Sequence, residues 1–340
     1  MPSVRRQFGF LAAAMGVAAA AMPVAAGGEG PPGLTLAGDL VPVHDPSIIR
    51  AGDTYFLFAT GQAKDPTGMV PVRVSTDLKN WTWKGAVFPT IPEWAAKDIE
   101  GTRGIWAPDI SHTNGEYRLY YSVSTFGKNR SAIGLAVASE LDPQAPASGW
   151  TDRGKVFESN FRDDFNAIDP NVFDDAEGRQ WMVFGSFWTG IKMIRLDPAT
   201  GFRSAEDDKI YSLARRRSPG AVEAPFVIRR GDYYYLFASF DFCCRGAEST
   251  YFTVVGRSTS PTGPYKDHEG REMMNGGGLP VLHASLDESG RFVGPGHPAI
   301  LETEGRHFIV YHAYDTQSGG APTLRIQQLA WTEDGWPVAR

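Results

Sequence analysis

Apolar and polar residues alternate along most of this chain, and the alternation is organised into a repeat. Five times a proline opens an alternating segment, a glycine-centred turn follows, and an aromatic-rich alternating segment comes next. Alternation with a period of two predicts β-strands, and a turn between two such segments predicts a hairpin. The five prolines recur at intervals of roughly sixty residues, at Pro46, Pro108, Pro170, Pro225 and Pro298.

A repeat of this length with several short strands is typical of a β-propeller blade. The turns carry a glycine in every repeat, at Gly52, Gly115, Gly178, Gly231 and Gly305. Beyond the N-terminal segment no stretch shows sustained helical periodicity. We therefore predict an all-β fold, a single five-bladed β-propeller that spans residues 39–340.

The N-terminus has the pattern of an export signal over residues 1–26. Arg5 and Arg6 form a charged start, an alanine-rich apolar core follows, and small residues up to Ala26 form a cleavage site. The core is short for a membrane span, so we expect cleavage rather than a membrane anchor. The twin-arginine and general export routes both fit. Residues 27–38 are expected to form a flexible leader of a secreted or periplasmic protein.

Composition narrows the possible partners. The chain has 340 residues, enough for a packed core, and a formal net charge of −6, which argues against nucleic acid as a partner. The only cysteines, Cys243 and Cys244, are adjacent and cannot form a disulfide framework. They either stay reduced or close a ring with each other, and a zinc site is not expected. We expect a monomer that does not associate with membranes after cleavage.

The first strand of each blade lines the axial channel of a propeller, so the residues that precede the five prolines should meet at its mouth. Asp45, Asp169 and His297 hold the same position in three repeats, and Glu223 stands one residue earlier in a fourth. A proline is tolerated where a strand begins, and it should hold the residue before it extended. Glu223 has the longer side chain and should still reach the same centre.

Three carboxylates at one mouth repel each other, so at least one pKa must rise. A single Asp-Pro pair would indicate only a turn, but acidic residues recur here at matching repeat positions. Glycoside hydrolysis uses such a set, because one carboxylic acid protonates the leaving oxygen while a carboxylate activates water. A third carboxylate can keep the acid protonated near neutral pH.

Aromatic and imidazole side chains complete the candidate site. Trp106 opens the second blade and Trp188 follows a strand of the third, and aromatic rings of this kind stack on sugars. His297 takes the axial position of the fifth blade, where one imidazole and waters can hold a cation. His44 is expected to hydrogen-bond Asp45.

Several motifs from about Asp39 to the C-terminus carry a family resemblance: His44-Asp45-Pro46, Ile105-Trp106-Ala107-Pro108, Asn166-Ala167-Ile168-Asp169-Pro170, Gly185-Ser186-Phe187-Trp188, Glu223-Ala224-Pro225, Asp241-Phe242-Cys243-Cys244 and Gly296-His297. They resemble the endo-α-1,5-L-arabinanases of glycoside hydrolase family forty-three. The resemblance implies a secreted, inverting enzyme that cuts the α-1,5-L-arabinofuranosidic linkages of arabinan or arabino-oligosaccharides.

The resemblance also assigns roles to individual residues. Asp45 is implied to be the general base, Glu223 the general acid, and Asp169 the residue that tunes the pKa and orientation of the acid. His297 is implied to hold one central calcium ion with waters, although Pro298 stands where a small polar residue is expected. The implied substrate contacts are Trp106, Asn166, Ser186, Phe187, Cys243 and Cys244.

Two other functions stay open. An exo-acting α-L-arabinofuranosidase or a β-xylosidase would share the fold, but an exo enzyme needs one end of the cleft blocked by a long loop or an added domain. The length of this chain leaves no room for such a domain, which favours endo action. A non-catalytic sugar-binding propeller would not need all three carboxylates, so their joint presence counts against it.

Overall fold

The protein, described here by a computed structural model over residues 33–340, forms five β-sheets that follow one another along the chain, except that the short strand Gly61–Gln62 lies within the first sheet's stretch and pairs with the second. The sheets are the blades of a five-bladed β-propeller, which confirms the predicted fold. The predicted signal sequence, residues 1–26, lies outside the described residues. Within the described part, no helix is both long and apolar enough to span a bilayer.

The first two blades contain five strands each. The first has the strand order β1-β6-β5-β3-β2 and consists of β1 (Ala37–Gly38), β2 (Ser47–Ala51), β3 (Thr54–Phe58), β5 (Met69–Ser75) and β6 (Asn80–Phe88). The second has the order β10-β9-β8-β7-β4 and consists of β4 (Gly61–Gln62), β7 (Gly104–Thr113), β8 (Glu116–Val123), β9 (Ser131–Ala138) and β10 (Thr151–Ser159). The helix α1 (Glu93–Asp98) precedes β7.

The other three blades are four-stranded antiparallel sheets in simple sequence order. The third consists of β11 (Asn171–Asp174), β12 (Gln180–Phe184), β13 (Ile191–Leu196) and β14 (Tyr211–Ala214). The fourth consists of β15 (Val222–Arg230), β16 (Tyr233–Phe240), β17 (Phe252–Ser258) and β18 (Leu279–Leu282). The fifth consists of β19 (Phe292–Thr303), β20 (Arg306–Asp315), β21 (Ala321–Trp331) and β22 (Pro337–Ala339). Short 3₁₀ turns lie at Gly246–Glu248, Met273–Asn275, Ala284–Leu286 and Thr316–Ser318.

In every blade the first strand contains the repeat proline or begins directly after it, and a glycine turn joins it to the second strand. All five predicted turn glycines have a positive φ, between 58° and 77°. Glycine reaches this conformation without steric penalty, which explains why each hairpin uses it. The second strand of each blade therefore returns to the end at which the first strand began.

The blades are joined by apolar clusters that bury residues from two neighbouring sheets. Phe56 of the first blade and Tyr121 of the second belong to one such cluster. Leu57 of the first blade and Val310 of the fifth belong to another, which closes the ring. Full burial of a large apolar side chain is worth about 1.5–3 kcal/mol, so these contacts supply the main attraction between blades.

Residues 34–38 belong to the propeller, although the sequence analysis assigned them to a flexible leader. The segment Ala37–Gly38 pairs in parallel with β6, and the Leu34 N–H donates to the Ile326 carbonyl at 3.0 Å. Leu34 and Leu36 also pack on the cluster that joins the fifth blade to the first. The leucines two positions apart explain the difference, since they extend the alternating pattern into the segment assigned to the leader.

Candidate active site

The residue before each repeat proline has left-handed backbone geometry, with φ between 42° and 59°, at Asp45, Ala107, Asp169, Ala224 and His297. Our prediction that proline would hold this residue extended is wrong. The pairing register shifts at this point in the second, fourth and fifth blades, so the strand begins with an irregular turn. A left-handed residue other than glycine costs about 1–3 kcal/mol, and such strain concentrates at functional sites.

Hydrogen bonds from the neighbouring blade hold this strained backbone. The N–H of each residue before a proline donates to a side chain of the preceding blade: Ala107 to Thr60 Oγ1 (2.7 Å), Asp169 to Ser122 Oγ (3.0 Å), Ala224 to Asp169 Oδ2 (3.2 Å), His297 to Ser239 Oγ (2.9 Å) and Asp45 to His312 Nδ1 (3.1 Å). The last bond joins residues 267 positions apart and closes the circle. The backbone that carries the axial side chains is therefore fixed from blade to blade.

Asp45 lies buried between two imidazoles and a hydroxyl. Its Oδ1 lies 2.8 Å from His44 Nδ1 and 2.9 Å from His297 Nδ1, and its Oδ2 accepts a hydrogen bond from Thr60 Oγ1 at 2.6 Å. The predicted contact with His44 is thus present. Burial alone would raise the pKa of Asp45, but His44 and His297 outweigh it and hold the pKa well below its usual range. Asp45 is ionised at neutral pH.

His44 is itself held by a further set of contacts. Its Nε2 lies 2.9 Å from the Tyr314 hydroxyl, which also accepts the Cys244 N–H at 2.8 Å. Its ring stacks on that of His312, with centroids 3.9 Å apart. His312 is fully buried, and burial holds its pKa well below the usual value, so it is a neutral acceptor for Asp45. These contacts fix the direction from which His44 approaches the carboxylate.

Asp169 and Glu223 are buried at the starts of the third and fourth blades, which are neighbours. Burial raises the pKa of Glu223, although hydrogen bonds from Ser186 and Tyr251 act in the opposite direction. The Ser186 hydroxyl donates to Glu223 Oε2 at 2.6 Å, while Oε1 is buried with no partner among the described residues. Burial also raises the pKa of Asp169; His297 opposes this rise, and the charges of Glu223 and Asp45 add to it.

The site thus separates its carboxyl groups by charge state. Asp45 is stabilised as the anion, whereas Asp169 and Glu223 are stabilised in the protonated form and titrate as an interacting pair. Environments that push the pKa values of neighbouring carboxyls apart are how one site holds both an acid and a base. The arrangement can therefore deliver one proton and accept another at the same mouth.

His297 takes the axial position that the repeat predicts. Burial lowers its pKa, but Asp45 and the other two carboxyls outweigh this and raise it to about 9. Its Nδ1 is occupied by Asp45, while the described residues give its Nε2 no hydrogen-bond partner. In the neutral imidazole Nε2 is thus the atom through which a cation with a mostly aqueous shell would bind, since calcium takes six to eight ligands and keeps waters among them.

The predicted substrate contacts divide into two groups. Asn166 and Ser186 are buried, and Ser186 is bound to Glu223, so it positions the acid. Trp106 is half-buried at the start of β7 and matches Glu223 in register, because each is paired with a serine of the second strand (Ser122 and Ser239).

The remaining predicted contacts lie in loops at the same end of the propeller. Phe187 is half-buried in left-handed geometry, with its ring centroid 6.1 Å from that of Phe242. Cys243 and Cys244 form a disulfide with each other, which decides between the two states that the sequence left open. Trp188, the next residue after Phe187 in the chain, is 40% exposed.

Sequence reasoning missed Thr60, Tyr251 and Tyr314, which contact Asp45, Glu223 and His44. Thr60 was detectable in principle, because Ser122 and Ser239 hold related places near the end of the second strand. Tyr251 and Tyr314 have no counterpart in the repeat that would have distinguished them from core tyrosines.

An ionised carboxylate beside protonated carboxyl groups, at the axis of a five-bladed propeller, is typical of one class of protein, the glycoside hydrolases. The chain belongs to glycosyl hydrolases family 43, whose family model matches residues 41–337. It is a hydrolase of that family.

Three relatives illustrate the similarity. The chain is 43% identical to the extracellular exo-alpha-(1->5)-L-arabinofuranosidase of Cellvibrio japonicus, covering 87% of this chain and 86% of that protein. It is 41% identical to the extracellular endo-alpha-(1->5)-L-arabinanase 1 of Bacillus subtilis, covering 87% of each. The solved endo-arabinanase of Bacillus licheniformis superposes with a TM-score of 0.81 at 44% identity, covering 90% of this chain and 99% of that one.

These relatives remove the argument from chain length for endo action. The relative named as an exo enzyme is matched over 86% of its own length, much as the endo enzyme is matched over 87%. Exo action on this fold therefore does not require a large added domain.

Proposed function

We propose that the protein is a secreted arabinanase that hydrolyses the α-1,5-L-arabinofuranosidic linkages of arabinan with inversion. The observation that carries this proposal is the opposed pKa shifts of Asp45 and the Asp169–Glu223 pair. The substrate comes from the relatives, which are named for arabinan-type linkages, and from a solved relative in complex with arabinohexaose. Both curated relatives are named extracellular, which supports export.

In the proposed reaction Glu223 gives its proton to the glycosidic oxygen as the bond to the anomeric carbon breaks. Asp45 accepts a proton from a water that attacks the same carbon from the opposite side, so the sugar leaves with inverted configuration. Asp169 titrates together with Glu223, so loss of its proton would favour retention of the proton on Glu223. Asp169 also accepts the Ala224 N–H, which fixes the backbone next to Glu223. After product release the two carboxyls exchange protons with water and return to their starting states.

The contacts that keep Asp45 ionised also make it a weak base. Two imidazoles and a hydroxyl satisfy its oxygens before any water arrives. We infer that Asp45 mainly orients the water and takes its proton late, as positive charge develops on the sugar ring. The held position of the carboxylate matters more for such a role than its intrinsic basicity.

We also propose that a calcium ion binds at Nε2 of His297, with waters as its other ligands. The support is the axial position of His297 and the absence of a hydrogen-bond partner for its Nε2 among the described residues; the ion would bind the neutral imidazole and so displace the proton from Nε2. When bound, the ion would supply positive charge beside the carboxyls and rigidity on the axis. His297 itself orients Asp45 through Nδ1 whether or not the ion is present.

Endo action is the mode we propose, and exo action is the second candidate because the relative from Cellvibrio japonicus carries that name. Debranched arabinan and product sizing over time distinguish them. A ladder of oligosaccharides at the earliest time supports endo action. One small product from the start would establish exo action instead.

The roles of the two carboxyls are tested by Asp45→Ala and Glu223→Ala on two substrates. A general acid contributes about 10²–10⁴-fold and is needed only for a poor leaving group. Glu223→Ala should lose most activity on arabino-oligosaccharides but retain far more on an aryl arabinoside with an acidic phenol. Asp45→Ala should be inactive on both. Equal loss on both substrates for Glu223→Ala would show that it is not the acid.

A further inference from the structure

A second cavity lies at the other end of the propeller from the carboxyl site. Its volume is about 520 Å³, and its lining includes Tyr233, Arg257, Lys266, His268, Asp334 and Trp336. Tyr233 begins β16 beside the Gly231 turn, whereas Ser239, near the other end of that strand, pairs with Glu223. The cavity therefore opens away from the carboxyl site, between the fourth and fifth blades.

Two cationic residues face each other across this cavity wall. Arg257 and Lys266 exchange backbone hydrogen bonds of 2.8 and 2.9 Å, so they are directly opposite in an antiparallel pair. Side chains of directly opposite residues project to the same face, and like charges in this arrangement are destabilising. Among the described residues neither side chain forms an ion pair. Lys266 also lies opposite Glu272 in a second antiparallel bridge, so its charge is partly balanced, whereas Arg257 has no acidic residue opposite it.

Aromatic rings fix one of these cations. The Arg257 guanidinium carbon lies 4.4 Å from the ring centroid of Tyr233 and 4.3 Å from that of Trp336. One of its nitrogens donates to the Asp334 carbonyl at 2.7 Å. The stacked guanidinium is therefore rigid before any ligand arrives, which reduces the entropy lost on binding.

The two acidic residues of the cavity lining, Asp267 and Asp334, form no ion pair with Arg257 or Lys266. The Asp267 carboxylate accepts the N–H groups of Arg271 and Gly278 at 2.9 and 3.0 Å and pairs with the Arg271 side chain, so it is used within its own loop. Asp334 is exposed and accepts a hydrogen bond from Thr332 at 2.6 Å. The side chains of Lys266 and His268 are exposed at the opening of the cavity.

We propose that this cavity binds an acidic oligosaccharide, with the carboxylate of a uronate residue between Arg257 and Lys266. The paired cations match a carboxylate, and the partly exposed ring of Tyr233 offers apolar surface for a sugar ring. A neutral arabinan chain has no charge to satisfy this pair, so the ligand differs from the substrate proposed for the carboxyl site. Because the two sites open at opposite ends of the blades, both can be filled at once.

Such a site would hold the enzyme on a polysaccharide that carries uronate residues as well as neutral arabinan. The inference does not depend on the proposed catalytic roles, because a binding measurement alone tests it. Titration calorimetry of the full protein with trigalacturonate at low ionic strength should show binding that weakens as salt is added. Neutral galactotriose should bind at least tenfold more weakly.

Lys266→Gln is the test variant and Lys209→Gln is its control. Lys209 is another exposed lysine without an ion pair among the described residues. Loss of one charge-assisted contact should weaken trigalacturonate binding roughly 10–100-fold in Lys266→Gln and leave Lys209→Gln unchanged. Both should hydrolyse arabino-oligosaccharides as the unmodified protein does. Four results would each overturn the proposal: no binding, equal binding of galactotriose, equal competition by inorganic phosphate, or equal effects of the two variants.

Discussion

The hydrogen bond from Ser186 to Glu223 gives the sharpest test of the acid assignment. The bond is 2.6 Å long and buried, and it stabilises the ionised form of Glu223. Ser186→Ala removes it and leaves Glu223 more firmly protonated, since Oε1 already lacks a partner. We therefore expect the pKa of Glu223 to rise further and the alkaline limb of kcat/KM to move to higher pH.

The size of the shift follows from the strength of the lost bond. A hydrogen bond to a charged group is worth about 1.5–3 kcal/mol, which corresponds to roughly 1–2 pH units. Tyr251 also lowers the pKa of Glu223 and remains in the variant, so the lower end of this range is expected. Removal of an ordinary substrate contact would instead raise KM and leave the pH profile in place.

The assay is kcat/KM on an arabino-oligosaccharide at a series of pH values, because this quantity reports the free enzyme's acid and base. Ser111→Ala is the matched control, since the Ser111 hydroxyl is buried with no hydrogen-bond partner among the described residues. Its alkaline limb should not move. If the limb of Ser186→Ala stays in place or moves to lower pH, Glu223 is not the group that controls it.

Four further outcomes follow from the same structure. Asp169→Asn removes the group whose ionised form would keep the proton on Glu223 as the pair titrates, so its alkaline limb should move to lower pH, opposite to Ser186→Ala; a shift to higher pH would contradict the proposed interaction. Ser122→Ala leaves the buried Asp169 N–H without an acceptor and should lower the free energy of unfolding by about 1–3 kcal/mol in urea titrations, and an unchanged midpoint would show that the bond between blades is dispensable. Chelation or His297→Ala should lower activity and melting temperature together if calcium binds at His297, whereas a verified loss of metal without either effect would end that proposal. Proton NMR of the first product should show the β-anomer, and an initial α-anomer would imply retention.

The proline repeat was sufficient to predict which side chains meet at the axis, because equivalent positions of a closed ring must converge. It also placed Asp45, Asp169 and His297 in matching positions and Glu223 one residue earlier, as the structure has them. The local geometry was predicted wrongly, because the steric preference of a residue before proline for extended backbone is overridden here. Here the neighbouring blade holds that residue left-handed.

Other features depend on contacts that no local pattern reveals. The hydroxyls of Tyr251 and Tyr314 reach the site only because the fourth and fifth blades bring them there, at large sequence separations from Glu223 and His44. The state of the two cysteines depends on a turn in which Cys244 is itself left-handed. The segment at Leu34 continues the alternating pattern, but its contact with Ile326, near the other end of the chain, follows only from closure of the ring.

The left-handed positions before the five prolines also bear on how such a protein can change its chemistry. The hydrogen bonds that fix these positions are donated by backbone N–H groups, so most of them do not depend on which side chain is present. Two of the five positions, Ala107 and Ala224, carry only a methyl group. The backbone hydrogen bonds thus hold the conformation, while the side chain at the same position supplies the chemistry. A substitution can change the functional group without loss of the bonds that compensate the backbone strain. A propeller of this kind can diversify by single substitutions at the axis without redesign of its blades.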